Sequence, residues 1–189
     1  MWVTGGLAHV DSHMLATEAR IACLARRYAL AVPTIVCVPR THALLRGLGV
    51  DVQESTSILG RVTIVGPRGC MKNLKMGVGC FIGPDVTFGL DAPITLGERV
   101  AISTGVVLST ATHMLGPGSR RMTLGTHAKP IVIEDGAWVA LRAIILPGVH
   151  VGRGSVITAG SVVTSDVPRD TLVSGNPAVV IRSLPLGNR

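Results

Sequence analysis

Branched aliphatic residues recur at every sixth position over the second half of the chain. The set is Ile133, Val139, Ile145, Val151, Ile157 and Val163. Four positions after each stands a small or compact residue, in the order Ala137, Ala143, Val149, Ser155, Ser161 and Val167. A period of six matches neither a helix, with 3.6 residues per turn, nor a strand, whose side chains alternate every two residues. The pattern predicts a solenoid in which three hexads form one three-sided coil and the aliphatics of successive coils stack into a continuous core.

The same step extends back through the middle of the chain with two irregularities. Ile102 and Leu108 keep it, whereas a two-residue slip separates Phe88 from Leu96. Over 109–130 the period is lost in a polar stretch punctuated by Gly and Pro. Because an excursion from a regular repeat is where binding and catalytic residues concentrate, we expect the functional chemistry in this stretch.

The change of pattern divides the chain into three parts. We predict a helical cap over 1–47, a solenoid domain over 48–184 with its loop excursion at 109–130, and a tail over 185–189. The expected fold class is therefore mainly β, a parallel solenoid with a short N-terminal helical cap. The chain has 189 residues, of which 47% are hydrophobic, and its 23 glycines suit sharp coil corners, so its composition agrees with one folded domain.

The predicted cap has two interpretations. Ser12 can begin a helix that continues to Tyr28 with arginines interleaved, and a second short helix is predicted from Thr41 to Arg46. One interpretation is a lid that closes the open end of the solenoid. The other is a basic amphipathic segment that contacts an anionic membrane surface. The sequence does not separate them.

The cysteines and the charge indicate the cellular setting. Cys23, Cys37, Cys70 and Cys80 include no C-x-x-C pair and no zinc-site spacing, so we expect reduced, mostly buried thiols in a cytoplasmic protein. The net charge of +7 means that an anionic partner must be considered, and a phosphate-bearing coenzyme such as coenzyme A suits scattered arginines. Nucleic acid is not expected, because the basic residues are scattered and aromatic residues that could stack on bases are few.

Three motifs together give a specific resemblance. They are the loop sequence Thr110-Ala111-Thr112-His113, the segment Gly136-Ala137-Trp138-Val139 and the C-terminal run from Val173 to Arg182, which includes Gly175-Asn176-Pro177. With the hexads they resemble the hexapeptide-repeat acyltransferases over about 45–184. Within that family the chain is most similar to the sugar O-acetyltransferases of the maltose, galactoside and colanic-acid type. The resemblance implies a left-handed parallel β-helix, a homotrimer, and acyl-CoA bound in a cleft between neighbouring subunits.

His113 is the candidate catalytic residue. A thioester is already activated, so the slow element in acyl transfer to a neutral hydroxyl is the poor nucleophilicity of that hydroxyl. An imidazole placed against it is a suitable general base. In the family that this chain resembles, the histidine at the position of His113 in the loop motif has that role. His127 and His150 lack the motif context and are interpreted as surface or corner residues.

The resemblance also implies an acceptor site. Asp91 falls where related enzymes carry an aspartate in the acceptor pocket, although it also suits a turn at the slip. Gly83 and Asp85 stand where those enzymes carry two asparagines, so this acceptor is expected to differ from maltose or a galactoside. Arg120 and Arg121 occupy the family's charged loop positions, where they would bind an acidic sugar or the coenzyme, or simply be solvated.

A second set of residues is implied for the coenzyme, which is acetyl-CoA or another acyl-CoA. Trp138, Ala140, Ala159 and Gly160 would line the pantetheine arm, although Trp138 is equally explained by packing at a coil face. The nucleotide end would approach Thr164, Ser165 and Arg182. Ser165 replaces a lysine common in relatives, so one phosphate contact is either missing or supplied by Arg142 or Arg169.

The function expected is acyl-CoA-dependent transfer, most simply of an acetyl group, to a sugar hydroxyl of a glycan, glycolipid or glycosylated metabolite. Two alternatives stay open: N-acetylation of an amino sugar or antibiotic, and a trimeric scaffold without activity. No metal is expected. A γ-carbonic anhydrase of this fold would need three convergent zinc histidines, and the spacing of His113, His127 and His150 does not resemble that pattern. The expected location is the cytoplasm, at the inner membrane face if the cap contacts lipid.

Overall fold

A computed structural model describes residues 34–35, 41–53 and 55–185. Within them the chain is mainly β. Short strands follow the three sides of a solenoid, and the equivalent strands of successive coils pair in parallel. The predicted fold class is therefore confirmed. The helix predicted between Ser12 and Tyr28 lies outside the described residues, as do positions 186–189 of the predicted tail.

The first half of the solenoid contains three coils of three strands each. A short strand, β1 (Thr34–Ile35), and one helix, α1 (Thr41–Gly47), precede them. The first coil contains β2 (Asp51–Val52), β3 (Ser57–Ile58) and β4 (Val62–Val65). A 3-10 helix (Cys70–Asn73) leads to β5 (Leu74–Met76), β6 (Phe81–Ile82) and β7 (Val86–Gly89). The third coil contains β8 (Ile94–Leu96), β9 (Ala101–Ile102) and β10 (Val107–Ser109).

A two-stranded hairpin then interrupts the coils before they resume. Its strands are β11 (Ala111–Leu115) and β12 (Met122–Ala128). The fourth coil contains β13 (Ile131–Ile133), β14 (Trp138–Val139) and β15 (Ile144–Ile145), and the fifth contains β16 (His150–Val151), β17 (Val156–Ile157) and β18 (Val162–Val163). The described chain ends with β19 (Thr171–Gly175) and the antiparallel β20 (Ala178–Ser183).

Each coil contributes one strand to each of three sheets. The first sheet has the order β16-β13-β8-β5-β2, the second β20-β19-β17-β14-β9-β6-β3, and the third β1-β4-β7-β10-β15-β18. The pairing is in register with the hexads: Ile102 lies beside Val139, which lies beside Ile157. One strand spacing, about 4.8 Å, therefore separates equivalent residues of successive coils.

The repeated aliphatic positions form the core. All six residues of the hexad series that begins at Ile133 are buried, and so are the compact residues that follow them. The hydrophobic members of both sets belong to one cluster that extends from Leu45 in α1 to Val173 in β19. The short helix predicted near residue 41 is present as α1, and the side chain of Leu45 joins the core at the N-terminal end of the coils.

The corners between sheets align into columns along the solenoid. We call the column that joins the third sheet to the first the hairpin edge; it contains 66–73, 89–93, 109–130, 146–149 and 164–167. We call the column that joins the second sheet to the third the Gly83 edge; it contains 83–85, 103–105, 140–142 and 158–160. Between the two columns lies the third sheet. Its strand β7 has four residues and spans about 13 Å at 3.3 Å per residue.

Gly83 lies where two successive coils approach each other closely. A Cβ atom at this position would lie 2.7 Å from the backbone nitrogen of Thr104 and 2.9 Å from the carbonyl carbon of Ser103. Backbone atoms of a stacked coil cannot move aside as a flexible side chain can. Gly83 is therefore required by coil stacking, which explains why the chain has no asparagine at this position.

We predict that Gly83→Ala lowers the free energy of unfolding by about 1–3 kcal/mol, the usual cost of overpacking. Gly47→Ala is the matched control, because a Cβ at Gly47 would have no atom within 4 Å. Thermal unfolding of both variants at equal protein concentration checks this. A melting temperature of Gly83→Ala equal to that of the wild type would show that the coils can separate at this corner at no cost.

Candidate active site

His113 lies on the hairpin that leaves the solenoid between β10 and β13. In the pairing of β11 with β12, His113 lies opposite Thr126 and Thr112 lies opposite His127. Opposed residues in an antiparallel pair share a face, and side chains alternate along each strand. His113 and His127 therefore project from opposite faces of the hairpin, and both imidazoles are exposed.

The outer half of the hairpin carries large apolar side chains. Leu115 pairs with Met122, just beyond His113. The exposed fractions of Leu115 and Leu124 are 86% and 85% in the single chain. An apolar surface this open, next to a candidate base, is of the kind that a partner molecule covers.

The base of the hairpin is held by Thr110. Its hydroxyl donates a hydrogen bond to the carbonyl oxygen of Gly89 at 2.6 Å and accepts one from the backbone N–H of Ala92 at 2.9 Å. Its carbonyl oxygen accepts a hydrogen bond from the N–H of Lys129, which follows β12, at 2.8 Å. Thr110 is fully buried. It therefore joins both ends of the hairpin to the corner of the coil before it.

Asp91 lies in that corner, and its side chain is exposed. The corner is also held from the preceding coil, because Asn73 Nδ2 donates a hydrogen bond to the carbonyl oxygen of Leu90 at 3.0 Å. The structure thus places Asp91 in the same column as the His113 hairpin, at the corner one coil earlier in the chain. This is the slip that interrupts the hexads between Phe88 and Leu96.

Arg120 and Arg121 lie at the tip of the hairpin. The N–H of Arg120 donates to the carbonyl oxygen of Pro117 at 2.9 Å, and the N–H of Gly116 donates to that of Arg121 at 2.8 Å. Both guanidinium groups are exposed. The loop predicted over 109–130 is therefore an ordered hairpin that carries two positive charges at its tip.

The Gly83 edge collects six of the predicted site residues. They are Gly83, Asp85, Ala140, Arg142, Ala159 and Gly160. Asp85 forms an ion pair with Arg61, with 2.7 Å between Oδ1 and Nη2, so its carboxylate already has a partner. Ala159 and Gly160 are exposed and Ala140 is buried. Gly83 presents no side chain to any ligand.

The remaining predicted coenzyme residues lie elsewhere. Trp138 is half exposed on the second sheet, and its Nε1 donates a hydrogen bond to Ser103 Oγ at 3.0 Å. Arg182 lies on the same sheet in β20, exposed. Thr164 and Ser165 are exposed at the hairpin edge. Within one chain the structure therefore divides the predicted residues among two edges and one face.

The buried cysteines are poor nucleophiles. Burial raises the pKa of the Cys70 thiol, and the nearby Asp91 carboxylate adds to the increase. Burial also raises the pKa of Cys80, whose thiol donates a hydrogen bond to the carbonyl oxygen of Gly97 at 3.0 Å. Since the thiolate is the reactive form, an acyl-cysteine intermediate is disfavoured at both positions. Both cysteines are free and buried, in agreement with the expectation of reduced, buried thiols.

The described residues form neither a metal-binding cluster nor a membrane-spanning helix. Over 34–35, 41–53 and 55–185 no three His, Cys, Asp or Glu side chains converge to hold a metal ion. In the same part of the chain no helix has the length and hydropathy needed to cross a membrane. The N-terminal segment for which membrane contact was considered lies outside the described residues.

Sequence reasoning missed two residues that hold the hairpin edge together. Asn73 and Thr110 bond to the same corner from opposite coils. Thr110 was read only as part of a motif. A signal is present, because Thr110 follows the core residue Leu108 by two positions and therefore faces inward, where a polar side chain requires a buried partner.

Comparison with known proteins decides the family. Residues 74–110 and 130–165 match the family described as "Hexapeptide repeat of succinyl-transferase". A solved hexapeptide-repeat-containing acetyltransferase from Vibrio cholerae O1 biovar eltor, complexed with acetyl coenzyme A, is 34% identical. That match covers 94% of this chain and 91% of the other, with a TM-score of 0.70. The chain belongs to the hexapeptide-repeat acetyltransferases.

Two further hexapeptide-repeat relatives carry sugar-related names. The galactoside O-acetyltransferase of Lactococcus lactis subsp. lactis is 35% identical over 113 residues, which are 60% of this chain and 54% of that protein. The protein WcaF of Escherichia coli K12 carries the name of a colanic acid biosynthesis acetyltransferase. It is 34% identical over 139 residues, which are 74% of this chain and 72% of that protein. The chain thus spans about half the length of the galactoside enzyme. The resemblance predicted from the motifs is confirmed.

We predict that iodoacetamide at pH 8 leaves Cys70 and Cys80 unmodified in the folded protein, because both thiols are buried with a raised pKa. Mass spectrometry of tryptic peptides measures the labelling of each residue. The same protein in guanidinium chloride is the control, in which both residues should be alkylated. Rapid labelling of native Cys80 would restore the acyl-cysteine route.

Proposed function

We propose that this protein is an acyl-CoA-dependent O-acyltransferase, transferring an acetyl group to a sugar hydroxyl with His113 as the general base. The observation that carries the proposal is the exposed imidazole of His113 on a hairpin rooted in the coil. The sugar O-acetyltransferase names among its family relatives support this acceptor class. The acceptor would be a glycan, a glycolipid or a glycosylated metabolite.

The proposed reaction needs no covalent enzyme intermediate. His113 takes the proton of the acceptor hydroxyl as the hydroxyl oxygen attacks the thioester carbonyl carbon. The tetrahedral intermediate collapses, the C–S bond breaks, and the imidazolium returns the proton to the departing CoA sulfur. An amine acceptor would follow the same course, so amino sugars belong in the substrate panel.

We place the coenzyme along the Gly83 edge and the second sheet beside it. The support is the exposed corner backbone at Ala159 and Gly160, next to the half-exposed ring of Trp138. Arg142 on the same edge offers a cation for phosphate, and Arg182 offers another on the second sheet. Thr164 and Ser165, at the other edge, would approach the coenzyme only from a neighbouring copy.

We infer that the working site lies between copies of the chain in a homotrimer. The third sheet separates the hairpin edge from the Gly83 edge by about 13 Å, the length of a four-residue strand. The hairpin does not close this gap within the chain, because its residues beyond Thr110 are exposed apart from a few that are half-buried. A second copy can bring its Gly83 edge to His113 and cover Leu115 and Leu124 at the same time.

The acceptor would bind on the hairpin edge, close to the base. Asp91 is the exposed carboxylate in that column and can accept hydrogen bonds from sugar hydroxyls. Arg120 and Arg121 at the tip favour an acidic sugar or a coenzyme phosphate. Asp85, paired with Arg61, would contribute only if that ion pair opened.

We predict that His113→Ala lowers turnover by about 10²–10⁴-fold, the usual contribution of a general base, while acetyl-CoA binding persists. The matched control is His127→Ala, which removes the imidazole of the opposite hairpin face and should retain turnover. Release of free CoA thiol measures the rate with a panel of glucosamine and galacturonic acid, with maltose and methyl β-galactoside included for comparison. A thermal shift with acetyl-CoA measures binding. Full turnover of His113→Ala would remove it as the base.

We predict that two inactive variants complement each other if the site is shared. Ala159→Trp should block the coenzyme cleft, and His113→Ala removes the base. In trimers assembled at random from equal amounts of both, about one site in four combines an intact hairpin with an intact Gly83 edge. Co-expressed subunits should therefore recover about a quarter of the wild-type activity. No recovery, with mixed trimers verified by mass, would place both halves of the site in one subunit.

A further inference from the structure

The structure assigns Thr110 a role as a positioning residue: its buried hydroxyl fixes the His113 hairpin against the corner that carries Asp91. This inference rests on the proposed function, because it concerns the geometry between the proposed base and the proposed acceptor site. Thr110 itself touches neither substrate. It acts through the two segments that it joins.

The Thr110 hydroxyl acts both as a hydrogen-bond donor and as an acceptor, and both bonds are made to one corner. It donates to the carbonyl oxygen of Gly89, two residues before Asp91, and accepts from the N–H of Ala92, one residue after it. One hydroxyl thereby joins the two sides of the corner that flank Asp91. With 0% exposure, Thr110 makes these bonds without competition from water.

The backbone of Thr110 joins the same corner to both hairpin strands. Its N–H donates to the carbonyl oxygen of Gly89 at 3.2 Å, and its carbonyl oxygen accepts from the N–H of Lys129 at 2.8 Å. The side-chain and main-chain hydrogen bonds therefore meet at Thr110, which directly precedes β11 and is bonded to Lys129 directly after β12. Any rotation of the hairpin relative to the coils must disturb this point.

The position of His113 is sensitive to such a rotation. His113 is three residues from Thr110 along an extended strand, or about 10 Å at 3.3 Å per residue. A hairpin tilt of about 6° therefore moves the imidazole by about 1 Å, and a misplacement of that size can cost about 10²-fold in rate. The hairpin edge thus depends on a buried hydroxyl for the alignment of its two proposed functional groups.

The test compares three single variants of the full chain. Thr110→Val keeps the shape and removes both side-chain hydrogen bonds, whereas Thr110→Ser keeps the hydroxyl. Thr56→Val is the matched control. Thr56 is likewise a buried threonine, and its hydroxyl donates a hydrogen bond to a carbonyl oxygen of a neighbouring coil, that of Gly77. It lies away from the hairpin. Both valine variants should lose similar melting temperature.

Turnover should separate the variants. With the fastest acceptor among glucosamine, galacturonic acid, maltose and methyl β-galactoside, Thr110→Val should lower kcat by about 10–10²-fold and leave the KM for acetyl-CoA within about twofold. Thr110→Ser should restore most of kcat, and Thr56→Val should retain it. In the His113→Ala background, Thr110→Val should cause no further loss, because a positioning residue acts through the group that it positions.

Hydrogen exchange of the Ala92 amide provides a readout that does not require activity. Exchange should accelerate in Thr110→Val and remain slow in Thr110→Ser and Thr56→Val. Unchanged Ala92 exchange in Thr110→Val, or a normal kcat in that variant, overturns the positioning role. A wild-type protein that turns over no acceptor and shows no thermal shift with acetyl-CoA overturns the proposed function instead, and the exchange result still decides whether Thr110 fixes the corner.

Discussion

Successive coils of this solenoid lie one strand spacing apart, about 4.8 Å, and their backbones meet at the corners. At Gly97 an added Cβ would lie 2.8 Å from the backbone nitrogen of Asp135, and at Gly152 it would lie 2.5 Å from that of Arg169. Branched aliphatics fill the interior at the same spacing, so core packing and corner geometry impose one register. Every edge of the molecule consequently becomes a column of equivalent positions.

This columnar order determines what a functional site can be. Residues far apart in sequence, such as Asp91 and His113, share the hairpin edge because their corners are stacked. Ala140 and Gly160 share the Gly83 edge for the same reason. A sheet whose strand β7 spans about 13 Å separates the two columns, and in the proposed reaction a second copy joins them. The uncovered leucines of the hairpin, Leu115 and Leu124, are consistent with that requirement.

The hexads made the solenoid predictable, because a buried residue at every sixth position leaves a direct trace in the sequence. The hairpin left a weaker trace. Both of its faces are largely exposed, so β11 and β12 have no core-facing alternation, and 109–130 was predicted as a loop. His113 is assigned from its motif, whereas its pairing opposite Thr126 and its place on the hairpin edge follow only from the structure.

Hydrogen bonds between coils were the least predictable feature. Thr110 bonds to Gly89 and Ala92 across a separation of about twenty residues, and no local rule links these positions. At Gly83 the sequence feature was visible, but its physical cause was not. Its departure from the asparagine of related enzymes suggested an altered acceptor site, but the stacked backbone of Ser103 and Thr104 is the physical reason for glycine at this position.

The central claim is that the imidazole of one copy and the thioester held by another form one site. A crystal structure of the assembled protein with CoA tests it most directly. We expect the CoA sulfur on the Gly83 edge of one copy, with His113 of an adjacent copy separated from it by no more than one acceptor hydroxyl. A CoA sulfur distant from every His113, with that ring facing bulk solvent, would contradict the account.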